Sequence, residues 1–517
     1  MRKTGIIMAA LLMALTSGAK GEANSVVIKQ GYQTTGRGSQ QALLLRIDFT
    51  GEQKDIAKLT FLLKGDTRKN VISLQLYASD AEEFFADSIP ACVGMARAAK
   101  NIFFTLHPSP STGKGQRLWL TAHVKDKAIL GQSIDAALTR IDYCDGSYWQ
   151  LPDSVGDPDG EARIYATHSL AFVPTTDDCR FYRIPAMIVD REGHLLIAAD
   201  RRYDDNGDLG NHKIDVAVRR SFDGGHTWTP QQIIARGDGS TNAHYGYGDP
   251  ALAVAPSGRI VCLMAAGRKG YFQGMRNMGL TMSDDNGATW TPVRDLMVSN
   301  FYDATHDMTD SLGFWSIFTT SGKGLTTRDG TIMFAANTLK EQGNYQSDCY
   351  IISSTDEGRH WQLGATLAFA AGDESKLEEL ADGRLLLSVR RRGARGFNIG
   401  NSDGSQWQQQ WNNNDITNGN ACNADLLRYD DHTLLHTYLK HPNRRTNLTL
   451  AMSTDNGRSW HDVMNIQPGD AAYSTMVKLP NGDVGILYED ESYNTGNGYT
   501  LTFVTVTRKQ IASFPRQ

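Results

Sequence analysis

The sequence of 517 residues has few cysteines, no apolar run of membrane-spanning length and no strong excess of either charge. Its six cysteines are scattered, with no CxxC pair and no histidine spacing suited to zinc. We interpret them mainly as small buried hydrophobic residues, and a disulfide in an oxidising compartment stays open without an assigned pairing. The net charge is −5, and no lysine- or arginine-rich run occurs. Nothing in the composition therefore indicates a nucleic-acid or membrane-surface partner.

The most apolar stretch, residues 6–15, lies at the start of the sequence. It follows Arg2 and Lys3 and precedes the small residues Ser17, Gly18 and Ala19. A basic start, an apolar run and small residues are the three parts of a secretory signal peptide. The run is shorter than the roughly 20 residues that a membrane-spanning helix needs. The sequence therefore predicts a signal peptide over residues 1–23 and a secreted or periplasmic location, with no membrane span.

One short pattern, S-x-D-x-G-x-x-W, occurs four times. The copies are residues 221–228 (SFDGGHTW), 283–290 (SDDNGATW), 354–361 (STDEGRHW) and 453–460 (STDNGRSW). The pattern is typical of a turn, because serine and aspartate bind nearby backbone, glycine tolerates a positive φ and tryptophan offers a large apolar surface. Four copies indicate a repeated structural unit.

The repeats divide the chain. None occurs in residues 24–150, where short apolar runs at 42–49, 59–63, 71–77 and 117–124 predict the strands of a small β domain. Residues 151–166 are rich in Gly, Pro and Asp and predict a linker. Over residues 167–517 the order is an apolar strand, a D-G or N-G type turn, a second strand and then the repeated turn. About four strands per round favour an all-β fold with a β-propeller.

Arg183 stands in FYRIP, between aromatic residues and the start of an apolar strand. With the repeated turns, YRIP resembles the sialidase (neuraminidase) superfamily, whose turn is called the Asp box. The resemblance extends over about residues 167–508. It implies a six-bladed β-propeller in which three arginines hold the carboxylate of sialic acid. The preceding domain resembles the carbohydrate-binding-like β-sandwich modules of some bacterial sialidases, so its binding of sugar is a hypothesis.

The resemblance assigns the arginines one by one. Arg183 matches the arginine of the R-I-P motif. Arg390 lies sixteen residues after Glu374 in DESKLEELADGRLLLSVR, as the second arginine of the family follows a glutamate. Arg445 lies eight residues before the last Asp box, as the third arginine does. Glu489 ends YSTMVKLPNGDVGILYE at the position of a glutamate that braces the first arginine.

The resemblance also assigns the chemistry. Tyr473 matches the nucleophilic tyrosine, Glu374 is the base that activates it, and the acid/base aspartate lies on a loop 24 or 25 residues after the first arginine. Asp208 fits this spacing, although Asp204 and Asp205 share the loop and stay open as alternatives. Three further residues resemble those that line the pocket near the 4-hydroxyl of the sugar: Asp200, Arg202 and Asp249.

Elementary chemistry agrees with these roles. A carboxylate is held best by planar, bidentate guanidinium groups, which lysine cannot offer. The same carboxylate repels an anionic nucleophile, so a neutral phenol is better suited to the attack. Because a tyrosine has a reference pKa of about 10, it needs a base such as Glu374 within hydrogen-bonding distance. Asp208 would protonate the leaving oxygen and then deprotonate water.

Other charged residues and motifs are expected to be structural. We expect Arg391, Arg392 and Arg395 to be solvated or at the rim, and Glu378 and Glu379 to be ordinary surface residues. Residues 400–404 match G-x-S-x-G, but a degenerate Asp box explains them better because no strand-to-helix context surrounds them. The loop with Asp204 and Asp208 lacks the Gly and Glu of a calcium loop. The Asp boxes themselves are expected to face away from the site.

The sequence therefore predicts a retaining exo-α-sialidase that hydrolyses terminal sialic acid from glycoproteins, glycolipids or oligosaccharides, with no metal or cofactor in the chemistry. One alternative is a trans-sialidase, which uses the same residues with a sugar as acceptor. The other is a catalytically silent sialic-acid-binding lectin. The linkage preference, the choice between hydrolysis and transfer, and the oligomeric state do not follow from the sequence.

Overall fold

The computed structural model describes residues 25–50, 55–79, 91–106, 117–203, 207–210, 212–239, 245–275, 277–299, 308–309, 313–343, 345–418, 421–491 and 498–515. The predicted signal peptide lies outside these residues, and so do Asp204 and Asp205. Within the described residues, no helix is long and apolar enough to cross a membrane.

Residues 25–165 form two β-sheets that enclose one hydrophobic core. The elements are β1 (Ser25–Lys29), β2 (Tyr32–Gly36), β3 (Ala42–Thr50), β4 (Ile56–Lys64), α1 (Thr67–Asn70), β5 (Val71–Ser79), β6 (Ala91–Arg97), β7 (Asn101–Thr105), β8 (Arg117–Val124), β9 (Ser133–Tyr143), β10 (Tyr148–Gln150), α2 (Asp153–Gly156) and β11 (Glu161–Tyr165). One sheet has the order β1-β3-β8-β5-β6, and the other has the order β2-β11-β9-β4-β7 with β10 beside β9. This is the predicted β-sandwich.

The four apolar runs of this region are confirmed as strands β3, β4, β5 and β8. Fully buried side chains such as Leu45, Phe61 and Leu120 form the core between the sheets, and each contributes about 1.5–3 kcal/mol by leaving water. Strand β11 lies within the segment predicted as a linker. It pairs in parallel with β2 and adds Ile164 to the core, so this part of the segment belongs to the sheet.

Strand β12 (His168–Phe172) precedes a series of antiparallel sheets, the blades. The first contains β13 (Phe181–Val189), β14 (Leu195–Arg202), β15 (Ile214–Ser221) and β16 (Gln232–Ala235). The second contains β17 (Gly246–Val254), β18 (Ile260–Gly267), the 3-10 helix Tyr271–Gln273, β19 (Asn277–Ser283) and β20 (Arg294–Ser299), followed by β21 (Met308–Thr309). The third has a broken inner strand, β22 (Ser316–Thr319), β23 (Gly322–Lys323) and β24 (Leu325–Thr326), then β25 (Ile332–Leu339), β26 (Asp348–Ser354) and β27 (Trp361–Leu363).

Three blades remain, of which the fifth and sixth share one long strand. The fourth contains β28 (Ser375–Glu379), β29 (Leu385–Val389), β30 (Gly393–Gly400) and β31 (Trp411–Asn418). The fifth contains β32 (Leu426–Asp430), β33 (Thr433–Leu439), β34 (Thr446–Ser453) and the first half of β35 (His461–Lys478). The second half of β35 starts the sixth blade, with β36 (Val484–Asp490), β37 (Thr500–Val506) and β12, before the final helix α3 (Arg508–Ser513).

Six hydrophobic clusters of this region join neighbouring blades, and the one between the fifth and sixth blades also includes Tyr165 and Ile184. Leu196 packs toward the second blade, whereas its neighbour Ile197 packs toward the sixth, because successive residues of a strand point to opposite faces. Within the described residues such clusters fill six junctions, including the one between the sixth and first blades. The blades therefore close into a ring, which is a six-bladed β-propeller.

The four Asp boxes have one shared geometry. In the first copy, Ser221 Oγ donates to Asp223 at 2.8 Å and accepts the Gly225 N–H at 2.8 Å, while Asp223 accepts the Thr227 N–H at 2.9 Å. The other copies repeat these bonds. Each copy follows the third strand of its blade. Trp407 Nε1 donates to Gly404 O at 2.9 Å, as the later Asp-box tryptophans do to their glycines, which supports a degenerate box there.

Three charged residues contradict the expectation that they lie in solvent. The Arg395 side chain is fully buried and donates from Nε to Ser388 Oγ at 2.9 Å. Glu378 and Glu379 are 8% and 7% exposed. Lys323 donates to Glu378 at 2.8 Å, and the Arg328 N–H donates to Glu379 at 3.0 Å. Glu378 and Glu379 lie on the first strand of the fourth blade and Arg395 on its third strand, where packing within and between blades buries them and partners compensate the charge.

Candidate active site

A cleft of about 940 Å³ opens where the inner strands of the blades begin. First and third strands of a blade run in the same direction, so the Asp boxes, which follow the third strands, lie at the opposite end. Seven predicted site residues line the cleft: Arg183, Asp208, Asp249, Glu374, Arg390, Arg445 and Tyr473. Arg202 and Glu489 are 2% and 0% exposed and lie behind them. The structure thus brings all the predicted site residues into one region.

Glu489 is the partner of the first arginine. Its carboxylate accepts Arg183 Nε at 2.6 Å and Nη2 at 3.2 Å, and it also accepts the backbone N–H groups of Ile184 at 2.8 Å and Tyr473 at 3.0 Å. Burial disfavours the charged guanidinium, but the Glu489 carboxylate outweighs burial and raises the pKa of Arg183. Glu489 therefore fixes both the arginine and the backbone that carries the tyrosine.

The backbone beside Arg183 is strained. Ile184 has a φ of +58°, which is rare for a β-branched residue, and its strand is irregular between Arg183 and Ala186. The same irregularity occurs in the second blade, where Asp249 has a φ of +52° and also precedes a proline. In both places the kink follows the first residues of an inner strand and turns a side chain toward the cleft.

Tyr473 and Glu374 form the centre of the cleft. Tyr473 OH donates to Glu374 Oε2 at 2.6 Å and accepts Arg390 Nη1 at 2.9 Å, and the same Arg390 nitrogen contacts Glu374. Burial and the adjacent Glu374 carboxylate raise the pKa of Tyr473 well above its usual value. The phenol therefore carries its proton at neutral pH, with a carboxylate oriented to accept it.

The other two arginines approach the same ring. The guanidinium carbons of Arg183 and Arg445 lie 5.5 Å and 5.6 Å from the centre of the Tyr473 ring. Arg390 Nε lies 3.2 Å from Asp373 Oδ2. Three guanidinium groups thus surround one tyrosine, and among the described residues the Arg445 guanidinium makes one long hydrogen bond, 3.5 Å to the Ala421 carbonyl. This arrangement can hold an anion next to the phenol oxygen.

Asp208 is an exposed carboxylate at the edge of an acidic group. The carboxylate oxygens of Asp200, Asp208 and Asp249 lie within 4.8 Å of one another. Arg202 Nη2 donates to Asp200 at 2.7 Å and to Asp208 at 3.1 Å, which compensates part of this charge. Burial raises the pKa of Asp200 to about 6, although Arg202 opposes the rise, and burial also raises the pKa of Asp249. Asp208, whose side chain is 71% exposed, is the one open to the cleft mouth.

Several residues of the cleft belong to no recognisable sequence motif. Asp373 pairs with Arg390, and only its position beside Glu374 could have indicated it. Tyr271, Phe272 and Tyr345 form an aromatic wall in which the rings of Phe272 and Tyr345 lie 5.6 Å apart. These aromatic residues come from loops of two blades, so no local pattern brings them together.

The repeated region also matches a known family. A family model described as the BNR repeat-like domain covers residues 207–486. The chain belongs to this BNR repeat-like family. The BNR-repeat chain is 29% identical over 360 residues to a sialidase from Micromonospora viridifaciens, covering 64% of this chain and 53% of that protein. It is 27% identical over 359 residues to a sialidase from Bacteroides fragilis (strain YCH46), covering 65% and 63%. The chain thus spans less than two thirds of either relative.

Solved structures show the same fold. The BNR-repeat chain is similar to the Hadza microbial sialidase Hz136, with a TM-score of 0.68 and 22% identity over 93% of this chain and 99% of that chain. It is also similar to the NanB sialidase of Streptococcus pneumoniae, with a TM-score of 0.59 and 13% identity over 94% and 93%. An intramolecular trans-sialidase from Ruminococcus gnavus has a TM-score of 0.52 and 16% identity over 67% and 99%. These likenesses extend over both the sandwich and the propeller in the first two cases.

Proposed function

We propose that the chain is a retaining exo-α-sialidase, which hydrolyses terminal sialic acid from glycans through a tyrosine nucleophile. The observation that carries the proposal is the 2.6 Å hydrogen bond from Tyr473 to Glu374 in the midst of three arginines. The sialidases among the relatives support the same class of reaction.

Binding of the substrate carboxylate is the role we assign to the arginines. Arg183 is held rigidly by Glu489, whereas the Arg445 guanidinium bonds a backbone carbonyl and no carboxylate among the described residues. An incoming carboxylate brings a negative charge to a cluster of three guanidinium groups, which favours binding and orients the adjacent anomeric carbon over the phenol.

The reaction proceeds in two displacements. In the first, the Tyr473 oxygen bonds to the anomeric carbon, its proton passes to Glu374, and Asp208 protonates the leaving sugar oxygen. In the second, Asp208 takes a proton from water, the water oxygen replaces Tyr473 at the anomeric carbon, and Glu374 returns the proton to the phenol. Two inversions at one carbon give overall retention.

The first experiment follows cleavage of 3′- and 6′-sialyllactose by proton NMR. We expect the α-anomer of free sialic acid to appear first and to mutarotate afterwards. The Tyr473→Phe variant should bind a sialic-acid analogue but lose at least about 10³-fold in kcat, because no oxygen is left to attack. Release of the β-anomer first, or near-normal turnover of an aryl sialoside by Tyr473→Phe, would show that the mechanism is wrong.

A trans-sialidase is the second candidate, and the aromatic wall favours it. Phe272 and Tyr345 are 57% and 75% exposed at the cleft, and such rings stack against the apolar face of a sugar. A sugar held there could act as acceptor in place of water. Incubation with sialyllactose and labelled lactose separates the two reactions: labelled sialyllactose indicates transfer, whereas free sialic acid alone indicates hydrolysis.

A further inference from the structure

A row of alternating charges leads from the cleft into the propeller. Glu374, Lys376 and Glu378 occupy alternate positions at the inner strand of the fourth blade, so their side chains leave the strand on the same side. They are 4%, 2% and 8% exposed. A buried lysine therefore stands between the proposed base and a second carboxylate. Glu378 has its own partner, Lys323, at 2.8 Å.

Lys376 and Glu374 meet at one residue of the third blade. The Lys376 ammonium donates to the Ser321 carbonyl. The hydroxyl of Ser321 lies 3.5 Å from Glu374 Oε1. The next residue is Gly322, with a φ of +105°, and a Cβ there would lie 3.1 Å from Lys376 Cε. The absence of a side chain at Gly322 thus leaves room for the lysine side chain.

Asn423 completes the surroundings of Glu374. Its amide nitrogen donates to Ser321 Oγ at 3.0 Å and lies 3.4 Å from Glu374 Oε1. The two carboxylate oxygens therefore face different groups. Oε2 faces the phenol of Tyr473 and the guanidinium of Arg390, whereas Oε1 faces the Ser321–Asn423 pair.

We propose that Lys376, Ser321 and Asn423 are positioning residues that act on the reaction through Glu374. Ser321 and Asn423 hold Oε1, so that Oε2 stays directed at the phenol. The Lys376 ammonium, behind Ser321, attracts the Glu374 carboxylate. The proposal rests on the proposed role of Glu374 as base, and none of the three residues needs to touch the substrate.

Other charged groups surround both the Glu374 carboxylate and the Lys376 ammonium. The charged and titratable neighbours of Glu374 are Arg390, Arg395, Tyr473, Asp373, Asp249 and Cys422, and those of Lys376 are Asp425, Arg395 and Lys323. Burial lowers the pKa of Lys376 to about 8, while Asp425 and Glu374 oppose this effect. At neutral pH the lysine therefore remains largely charged. Its charge acts on Glu374 from the side opposite to the substrate.

The test compares Lys376→Met with the matched control Lys323→Met, since both remove one buried ammonium of the same region. The measurement is the pH profile of kcat/KM on an aryl sialoside. For Lys376→Met we expect the acidic limb to move to higher pH by on the order of one unit, with KM at the optimum little changed. Lys323→Met should lose stability without this shift. An unmoved acidic limb in folded Lys376→Met would overturn the proposal.

Two further measurements test the same residues. The first serves if Lys376→Met fails to fold, and the second serves also if the chain cleaves no sialoside. Ser321→Ala leaves the carbonyl that Lys376 uses, and we expect it to lower kcat by about 3- to 10-fold with unchanged KM. A double-mutant cycle of Lys376→Gln with Glu374→Gln, read as thermal unfolding midpoints, needs no activity. Lys376→Gln should lower the midpoint less when Glu374 is already neutral. Equal losses in both backgrounds would contradict the coupling, whatever the reaction of the chain.

Discussion

At the scale of single residues, Glu489 connects the two motifs on which the site depends. Its carboxylate accepts hydrogen bonds from Nε and Nη2 of Arg183 and from the backbone N–H groups of Ile184 and Tyr473. A carboxylate can accept all four bonds, whereas an amide oxygen has only two lone pairs and its nitrogen only donates. Loss of the Glu489 carboxylate is therefore expected to reduce catalysis more than loss of a single ion pair would.

The first prediction concerns Glu489→Gln. The amide cannot satisfy Arg183, so the guanidinium loses its fixed orientation toward the substrate carboxylate. We expect kcat/KM for an aryl sialoside to fall about 10²-fold, mainly through KM. Glu379→Gln is the matched control, because Glu379 is also buried and bonded but its partner Arg328 does not line the cleft. A KM equal to that of the unaltered protein would contradict the role of Glu489.

The second prediction concerns Asp208→Asn, which removes the proposed acid. A lactose leaving group needs a proton, whereas an aryl leaving group departs as a stable anion. We therefore expect kcat/KM to fall about 10²- to 10⁴-fold on sialyllactose and much less on a nitrophenyl sialoside. Steady-state kinetics on both substrates measure the ratio. An equal loss of kcat/KM on both substrates would exclude Asp208 as the acid and leave Asp204 and Asp205 as the candidates.

At the scale of elements, the Asp box is a turn held by one aspartate. Asp285 accepts the Thr289 hydroxyl at 2.6 Å and the Thr289 N–H at 2.8 Å, and these bonds lower its pKa to about 2. Gly287 has a φ of +80°, which a side chain at this position would strain. The aspartate therefore stabilises the turn mainly in its ionised form.

The third prediction follows from that pKa. An aspartate has a pKa of about 3.9 in an unfolded chain, so its lowered folded value makes the ionised form stabilising. The contribution is present above about pH 4 and is lost as the pH falls toward 2. Asp285→Asn should lower the free energy of unfolding at pH 7, and the gap to the unaltered protein should narrow below pH 4. Denaturant unfolding at several pH values measures the gap, and a constant gap would contradict the prediction.

The sequence indicates much of the elements and the site because local patterns encode them. The Asp boxes recur at fixed offsets from strands. Arg183, Tyr473 and Glu489 lie in strands, and Arg390 and Arg445 lie directly beside strand ends, so strand register fixes the residue spacing. The environment of Arg395 could not be predicted in this way. A charged residue near a turn is usually solvated, whereas the pairing of β29 with β30 and the packing of the fifth blade place Arg395 beside Ser388 and His436. The aromatic wall likewise needs two loops from different blades.

At the scale of the whole molecule, sandwich and propeller have separate cores but touch directly. Tyr488 of the sixth blade bonds Thr34 at 2.9 Å, and Arg163 donates to the Asn465 carbonyl at 2.6 Å. The hydrophobic cluster of the sandwich contains only residues from 26 to 164. A destabilising substitution in one core is therefore expected to unfold the domain that contains this core first.

The fourth prediction uses one buried phenylalanine from each core. Phe172 is 0% exposed in β12, and Phe61 is 0% exposed in the sandwich. Replacing either by alanine should cost about 3–5 kcal/mol. We expect Phe172→Ala, but not Phe61→Ala, to lower the temperature at which activity is lost. Equal shifts would mean that the two parts unfold as one cooperative unit.

The closing of the sixth blade has a consequence for how the chain is made. Its outer strand β12 precedes every other strand of the ring, and its partner β37 is the last one, so the Thr167 N–H bonds Thr505 across 338 positions of sequence. A nascent chain cannot seal the ring until the last strand has left the ribosome. Any product that stops before β37 keeps two open strand edges, which invite proteolysis and aggregation. Complete chains are therefore expected to form the closed ring, whereas chains truncated before β37 are expected to be degraded.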